Sequence, residues 1–138
     1  MKIGEYFSQC DSAGNFIVEL VKRKKITGEI LILGTEEFML PAIISGNNLE
    51  MENYSVVTHS TTRSPIGISS DENYPIREGF KLRSLYNSTR TTFIYNLKRY
   101  DAAIIMTNAE NFFAGVEDLN SALKLHGVEN IFLVKTAH

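Results

Sequence analysis

Glu29-Ile30-Leu31-Ile32-Leu33, running into Gly34-Thr35-Glu36-Glu37, decides the fold. After Glu29 the run is apolar without alternation. A strand with one wet face alternates polar and apolar residues, whereas a continuous run belongs to a strand buried on both faces, as in a parallel sheet covered by helices. Three further runs have the same character: Tyr54–Thr58, Ala102–Met106 and Asn130–Lys135. The segments between them are long enough for the crossovers that parallel strands require.

The intervening segments supply helices. Asp11–Lys24 places Phe16, Ile17, Leu20 and Val21 on one face, with Asp11 or Ser12 as the cap. Lys22-Arg23-Lys24-Lys25 closes this helix, where cations suit the dipole, and Gly28 lets the chain turn into the first strand. A second helix follows Glu37 and runs to about Leu49. Pro41 is tolerated within the first turn, which sets the start near Phe38 to Leu40. Phe93, Ile94, Leu97 and Tyr100 suggest a third helix over Thr89–Tyr100, although β-branched Thr91, Thr92 and Ile94 also suit a strand. A fourth helix covers Gly115–His126, and Gly127 is its left-handed terminator. Alternation of this kind predicts an α/β chain: a three-layer, Rossmann-like sandwich with a mainly parallel sheet of about four strands. It reads as one domain over 1–138, with an N-terminal helix over 11–25 and a core over 28–138.

Composition narrows the function classes. Fourteen Lys and Arg stand against sixteen Asp and Glu, a net charge of −2, so no overall basic field attracts nucleic acid. One cysteine, Cys10, excludes an internal disulfide framework and points to a reducing cytoplasm. No stretch approaches the ~20 apolar residues of a membrane span, and Met1-Lys2-Ile3-Gly4-Glu5 lacks the regions of a secretory signal. Three dispersed histidines make no zinc site. His126 suits a helix C-terminus, and His59 is either a strand-end residue or a general acid–base group.

Open α/β sheets bind ligands outside the carboxyl ends of their strands, where the strand order reverses. Three such ends carry polar groups here: Gly34, Thr35, Glu36 and Glu37; then His59 to Ser64; then Thr107 and Asn108. Gly34 permits close backbone approach. Glu36 and Glu37 are either acids that stabilise a helix start or carboxylates for ribose hydroxyls, a cation or general-base work. Thr61, Thr62, Arg63 and Ser64 combine hydroxyls with a planar guanidinium suited to phosphate or carboxylate. Beyond them lie about 25 residues without apolar periodicity, carrying Arg77, Lys81, Arg83 and Arg90 against Asp71, Glu72 and Glu78. Tyr74, Phe80, Tyr86, Tyr95 and Tyr100 are either ordinary packing or the wall of a ligand pocket.

At Thr62-Arg63-Ser64-Pro65 the chain resembles the TRSP domain family, named for that motif. Leu33-Gly34-Thr35-Glu36-Glu37-Phe38-Met39 looks like the family's glycine–acid segment. Tyr74-Pro75-Ile76, Arg90, Phe93-Ile94-Tyr95-Asn96 and Tyr100-Asp101 follow in the expected order, so the resemblance covers roughly 28–110. It implies a domain joined to the C-terminus of a phosphoribosyltransferase-like domain, in tellurium-resistance and stress-associated loci. The acidic pair and Thr/Gly-rich diphosphate loop of phosphoribosyltransferases are absent from this sequence. The expectation is a domain that binds or processes a phosphorylated, ribose-containing, nucleotide-like molecule beside such a partner. Glu36 or Glu37 would contact ribose or act as base. Gly34, Thr35, Thr61, Thr62, Arg63 and Ser64 would form the phosphate side, and Arg90, Tyr95 and Asn96 would close the site. The alternatives are a non-catalytic module docking on that partner and an RNA-contacting domain using Lys22–Lys25 and the loop arginines. The sequence names no cofactor.

Overall fold

The computed structural model describes residues 3–36, 38–61, 79–86, 91–95, 97–109 and 113–135. The elements in chain order are α1 (Ile3–Arg23), β1 (Glu29–Gly34), α2 (Leu40–Met51), β2 (Ser55–Ser60), β3 (Gly79–Arg83), β4 (Thr91–Tyr95), β5 (Ala102–Thr107), α3 (Phe113–Leu125) and β6 (Asn130–Lys135). Strands β2, β1, β5 and β6 form one parallel sheet in that order. Strands β3 and β4 form a separate antiparallel ribbon.

Alternate residues of the central strands feed two cores. Ile30 and Ile32 of β1, with Ile104 and Met106 of β5, pack against Ile17 and Val21 of α1 and Ala42 and Leu49 of α2. Leu31, Leu33, Ala103 and Ile105 point the other way, onto Leu119 and Leu123 of α3 and onto Leu82 and Ile94 of the ribbon. Every residue of β5 is buried. The sheet is therefore the middle of three layers, and the continuous apolar runs reflect two-sided burial.

Among the described residues, the three helices end in one way. Lys25, Asn53 and Gly127 have φ of 54°, 70° and 80° and reverse the chain. Their N–H groups donate to the carbonyls of Lys22, Glu50 and Lys124, and the next residues, Ile26, Tyr54 and Val128, donate to Val21, Leu49 and Leu123. The same residues pack into the core beside those carbonyl owners. This paired bond set with an apolar tuck satisfies the last carbonyls of a helix.

Three expectations change. Thr89–Tyr100 contains no helix over its described residues; Thr91–Tyr95 is strand β4. Thr92 and Ile94 are buried while Thr91 is exposed, so burial follows a period of two, and β-branched and aromatic residues suit that geometry. The connection after Thr61 also holds β3, whose alternation, Phe80 and Leu82 against Lys81 and Arg83, is only two apolar residues long. Helix α1 starts at Ile3, so Asp11 and Ser12 lie inside it rather than at its start. Ile3, Tyr6, Phe7 and Cys10 extend the spacing of Ala13, Ile17 and Leu20 by further turns.

Candidate functional site

The strand order makes a crevice. From β1 the chain crosses through α2 to β2 on one side, and from β5 it crosses through α3 to β6 on the other. The carboxyl ends of β1 and β5 are therefore neighbours whose following connections diverge, the place where open α/β sheets take ligands. Gly34 pairs in register with Met106, which sets Thr35 beside Thr107.

Four polar side chains meet there. The buried Thr35 hydroxyl donates to Thr107 Oγ1 at 3.0 Å. It also lies 2.9 Å from Tyr86 Oη, which donates to Asn108 Oδ1 at 2.7 Å. Thr107 Oγ1 accepts from the backbone of Ala109 at 3.1 Å. Each hydroxyl has one proton, so the Thr35–Tyr86 contact is filled when one of the two turns its proton away from its other acceptor.

Glu36 stands next to this chain of hydroxyls. Its φ of 51° is left-handed, a conformation that costs a non-glycine residue about 1–2 kcal/mol. Its N–H donates to Thr61 Oγ1 at 3.0 Å, and Oε2 accepts from Ser84 Oγ at 2.8 Å, which helps to hold it there. Thr61 in turn donates its N–H to Gly34 O at 3.2 Å. Helix α2 starts beyond, at Leu40, with Pro41 in its first turn and no acid there. Glu36 is thus not a helix-start acid; its half-buried carboxylate faces the segment after β3. Gly34 is required by close approach, since a Cβ would sit 2.6 Å from Phe38 O and 2.9 Å from Met39 Sδ.

The segment Arg83–Tyr86 is a strap between the ribbon and this edge. Ser84 and Tyr86 turn inward to Glu36, Thr35 and Asn108, and Tyr86 N–H donates to Ser84 Oγ at 3.0 Å. Arg83 turns outward. Its backbone N–H, Nε and Nη2 all donate to the Asp118 carboxylate, at 2.7, 3.0 and 3.0 Å. The Arg83 hydrogen bond holds the Asp118 carboxyl below its ordinary pKa range. Arg83 is therefore committed to α3. Gly115 on α3 lets the strap approach: a Cβ there would lie 2.8 Å from Arg83 O and from Leu85 N.

Of the residues expected to form the site, Gly34, Thr35, Glu36 and Thr61 come together, joined by Thr107 and Asn108. Glu37, Thr62, Arg63, Ser64, Arg90 and Asn96 lie outside the described residues, and Tyr95 is described as the last residue of β4. Tyr100 is core, 1% exposed, and lies at the opposite edge of the sheet, at the start of β5. His59 is half-buried in β2, where burial first and Lys98 second lower its pKa. Ser84 was missed; the signal was its place two residues after Leu82 and two before Tyr86, continuing the ribbon's inward face. Among the described residues no group of three His, Cys, Asp or Glu could hold a metal ion, and no helix is long and apolar enough to cross a membrane.

Comparison with known proteins places this architecture. The chain is similar in structure to an adenine phosphoribosyl transferase from Trypanosoma brucei, solved in complex with AMP, pyrophosphate and ribose-5-phosphate. The TM-score is 0.54 at 13% identity, over 90% of this chain and 49% of that one. A hypoxanthine phosphoribosyltransferase from Staphylococcus aureus matches with a TM-score of 0.48 at 10% identity, over 91% of this chain and 62% of that one. The chain thus spans less than two thirds of either enzyme, and the likeness to the first is one of fold. A search of curated proteins finds no match. A family model described as "TRSP domain C terminus to PRTase_2" matches residues 8–123, so the chain belongs to the TRSP domain family.

Proposed function

We propose that the carboxyl edge of the sheet binds or processes a phosphorylated, ribose-containing, nucleotide-like molecule, beside a phosphoribosyltransferase-like partner. The observation that carries this reading is the meeting of Thr35, Glu36, Tyr86, Thr107 and Asn108 where β1 and β5 part. Hydroxyls, an amide and a carboxylate suit sugar hydroxyls, which both donate and accept. Glu36 is the group to accept a ribose proton, either as a hydrogen bond or as a general base. The phosphate is assigned to Arg63, with Thr62 and Ser64, because a guanidinium fork matches its oxygens. Arg90, Tyr95 and Asn96 are assigned to the rim. Glu37 is a second candidate carboxylate.

Thermal-shift titration with phosphoribosyl diphosphate, AMP and ribose 5-phosphate tests it. The expected result is a saturable rise in Tm that Arg63→Ala and Glu36→Gln both reduce. No rise with any of the three, or a rise that Arg63→Ala leaves intact, rejects the assignment. The family description, which sets the domain C-terminal to PRTase_2, favours a second reading: a non-catalytic module docking on that partner. Co-purification with a phosphoribosyltransferase-like protein, without any small-molecule shift, selects it.

A further inference from the structure

We propose that the amino edge of the sheet carries a second binding site, for a small polyanion bearing two or more phosphate or carboxylate groups. The helices run against the strands, so three connections reach this edge together: Lys24–Thr27 into β1, Arg99–Asp101 into β5 and Gly127–Asn130 into β6. They enclose a cleft of about 340 Å³, within the range of small-metabolite sites. At roughly 3.3 Å per residue the six-residue strands set it about 20 Å from Thr35 and Thr107.

Its lining is cationic with an apolar wall. Lys24, Lys25 and Arg99 stand on the rim, while Ile26 and Phe132, both half-buried, form the wall. Two acids also line it. Asp101 is occupied, accepting from Glu29 N–H at 2.7 Å and from Arg99 Nη1 at 3.3 Å; Glu129 is exposed. Nearby Lys22 and Lys98 are neutralised by Glu52 and Glu29, at 3.3 and 2.8 Å. Lys24 and Lys25 have no such ion pair among the described residues.

The backbone supplies an independent observation. Of the three equivalent left-handed helix terminators, two are Asn53 and Gly127, the residue types that favour this conformation. The third is Lys25, at a φ of 54°. A lysine there carries a conformational cost that glycine would remove, and it places an ammonium group on the cleft. A solvated helix end requires neither the concavity nor the strained cation, and the concavity favours a small ligand over a nucleic-acid backbone.

The two roles of Lys25 separate by sign. Lys25→Gly relieves backbone strain and removes the cation, so it raises Tm in the absence of ligand and weakens binding of citrate or inorganic pyrophosphate about tenfold. Lys24→Gln weakens the same binding with little change in Tm. Both probes are titrated calorimetrically into the full chain. Glu36→Gln, at the opposite edge, leaves this binding in place, which keeps the two sites distinguishable. The proposal is overturned if neither probe binds saturably at millimolar concentration. It is also overturned if the Lys24→Gln, Lys25→Gly double variant binds as the parent does, or if this edge retains RNA with steep salt dependence while binding neither probe.

Discussion

Ser84 Oγ donates to Glu36 Oε2 at 2.8 Å across 48 positions of sequence. This bond joins the ribbon's strap to the end of β1 and helps to hold Glu36 at its left-handed φ. A hydrogen bond to a charged acceptor contributes about 1.5–3 kcal/mol. Ser84→Ala is therefore expected to lower unfolding free energy by an amount in that range, read from urea denaturation. Ser121→Ala, an exposed change on α3, serves as the control and should stay within about 0.5 kcal/mol. Equal midpoints for the two variants would show that the bond does not stabilise the fold.

Tyr86 joins both strand ends through one oxygen, 2.9 Å from Thr35 Oγ1 and 2.7 Å from Asn108 Oδ1. Tyr86→Phe keeps the ring and deletes both contacts. The expected loss is about 1–3 kcal/mol, because the partners are left in a part-buried setting. A double-mutant cycle with Asn108→Ala should return a coupling energy of about 0.5 kcal/mol or more. Additive losses would mean that the two groups act independently.

Gly115 tests the strap from the other side. Alanine in a helix normally gains about 0.5–1 kcal/mol over glycine. Here a Cβ would press on two backbone atoms, Arg83 O and Leu85 N, each 2.8 Å away. Overpacking against groups that cannot rotate aside costs about 1–3 kcal/mol, so the clash wins and Gly115→Ala destabilises. The displaced strap carries Ser84 and Tyr86 with it, so any ligand-induced rise in Tm falls as well. A stabilised Gly115→Ala protein would remove the strap from the account of the site.

How much of this was legible in the sequence follows from burial. Ile30–Leu33 and Ala102–Met106 announce a parallel sheet because both faces of those strands are covered. The ribbon did not announce itself, because Phe80 and Leu82 offer two apolar positions and Phe93–Ile94 fit helical spacing as well as strand alternation. The crevice was legible as three polar strand ends, since parallel strands put their carboxyl ends on one edge. The strap was not: Arg83 meets Asp118 across 35 positions and Ser84 meets Glu36 across 48, and neither spacing carries a local periodic signal.

Stability should fall in two stages on acidification. His59 has a folded pKa below its ordinary 6.5. Just below that value the unfolded chain binds a proton that the folded chain refuses, so stability declines as pH drops below about 6.5. Asp118 and Asp101 also titrate below their ordinary value, through hydrogen bonds from Arg83 and from the backbone of Glu29. Their contribution is present above about pH 3.9 and is lost as pH falls through the folded pKa values. Urea midpoints measured from about pH 7 to about pH 3 should show both stages, and His59→Gln should flatten only the first. An unchanged slope in that variant would assign the first stage to another group.

One substitution at two buried threonines should give opposite signs. Thr92 is 1% exposed, and its Oγ1 has no hydrogen-bond partner among the described residues. A hydroxyl buried without a bond costs about 1–3 kcal/mol, and valine has nearly the same shape with equal suitability for a strand. Thr92→Val is therefore expected to raise unfolding free energy by about 0.5–2 kcal/mol. Thr35 is equally buried, but its Oγ1 contacts both Thr107 and Tyr86. Thr35→Val breaks the hydroxyl chain at its centre and should cost about 1–3 kcal/mol. The contrast isolates hydrogen bonding from shape, since volume and burial are matched. If Thr92→Val destabilises as much as Thr35→Val, then packing rather than polar connectivity governs both positions, and the hydroxyl chain at the carboxyl edge loses its claim to hold β1 and β5 in register at the crevice.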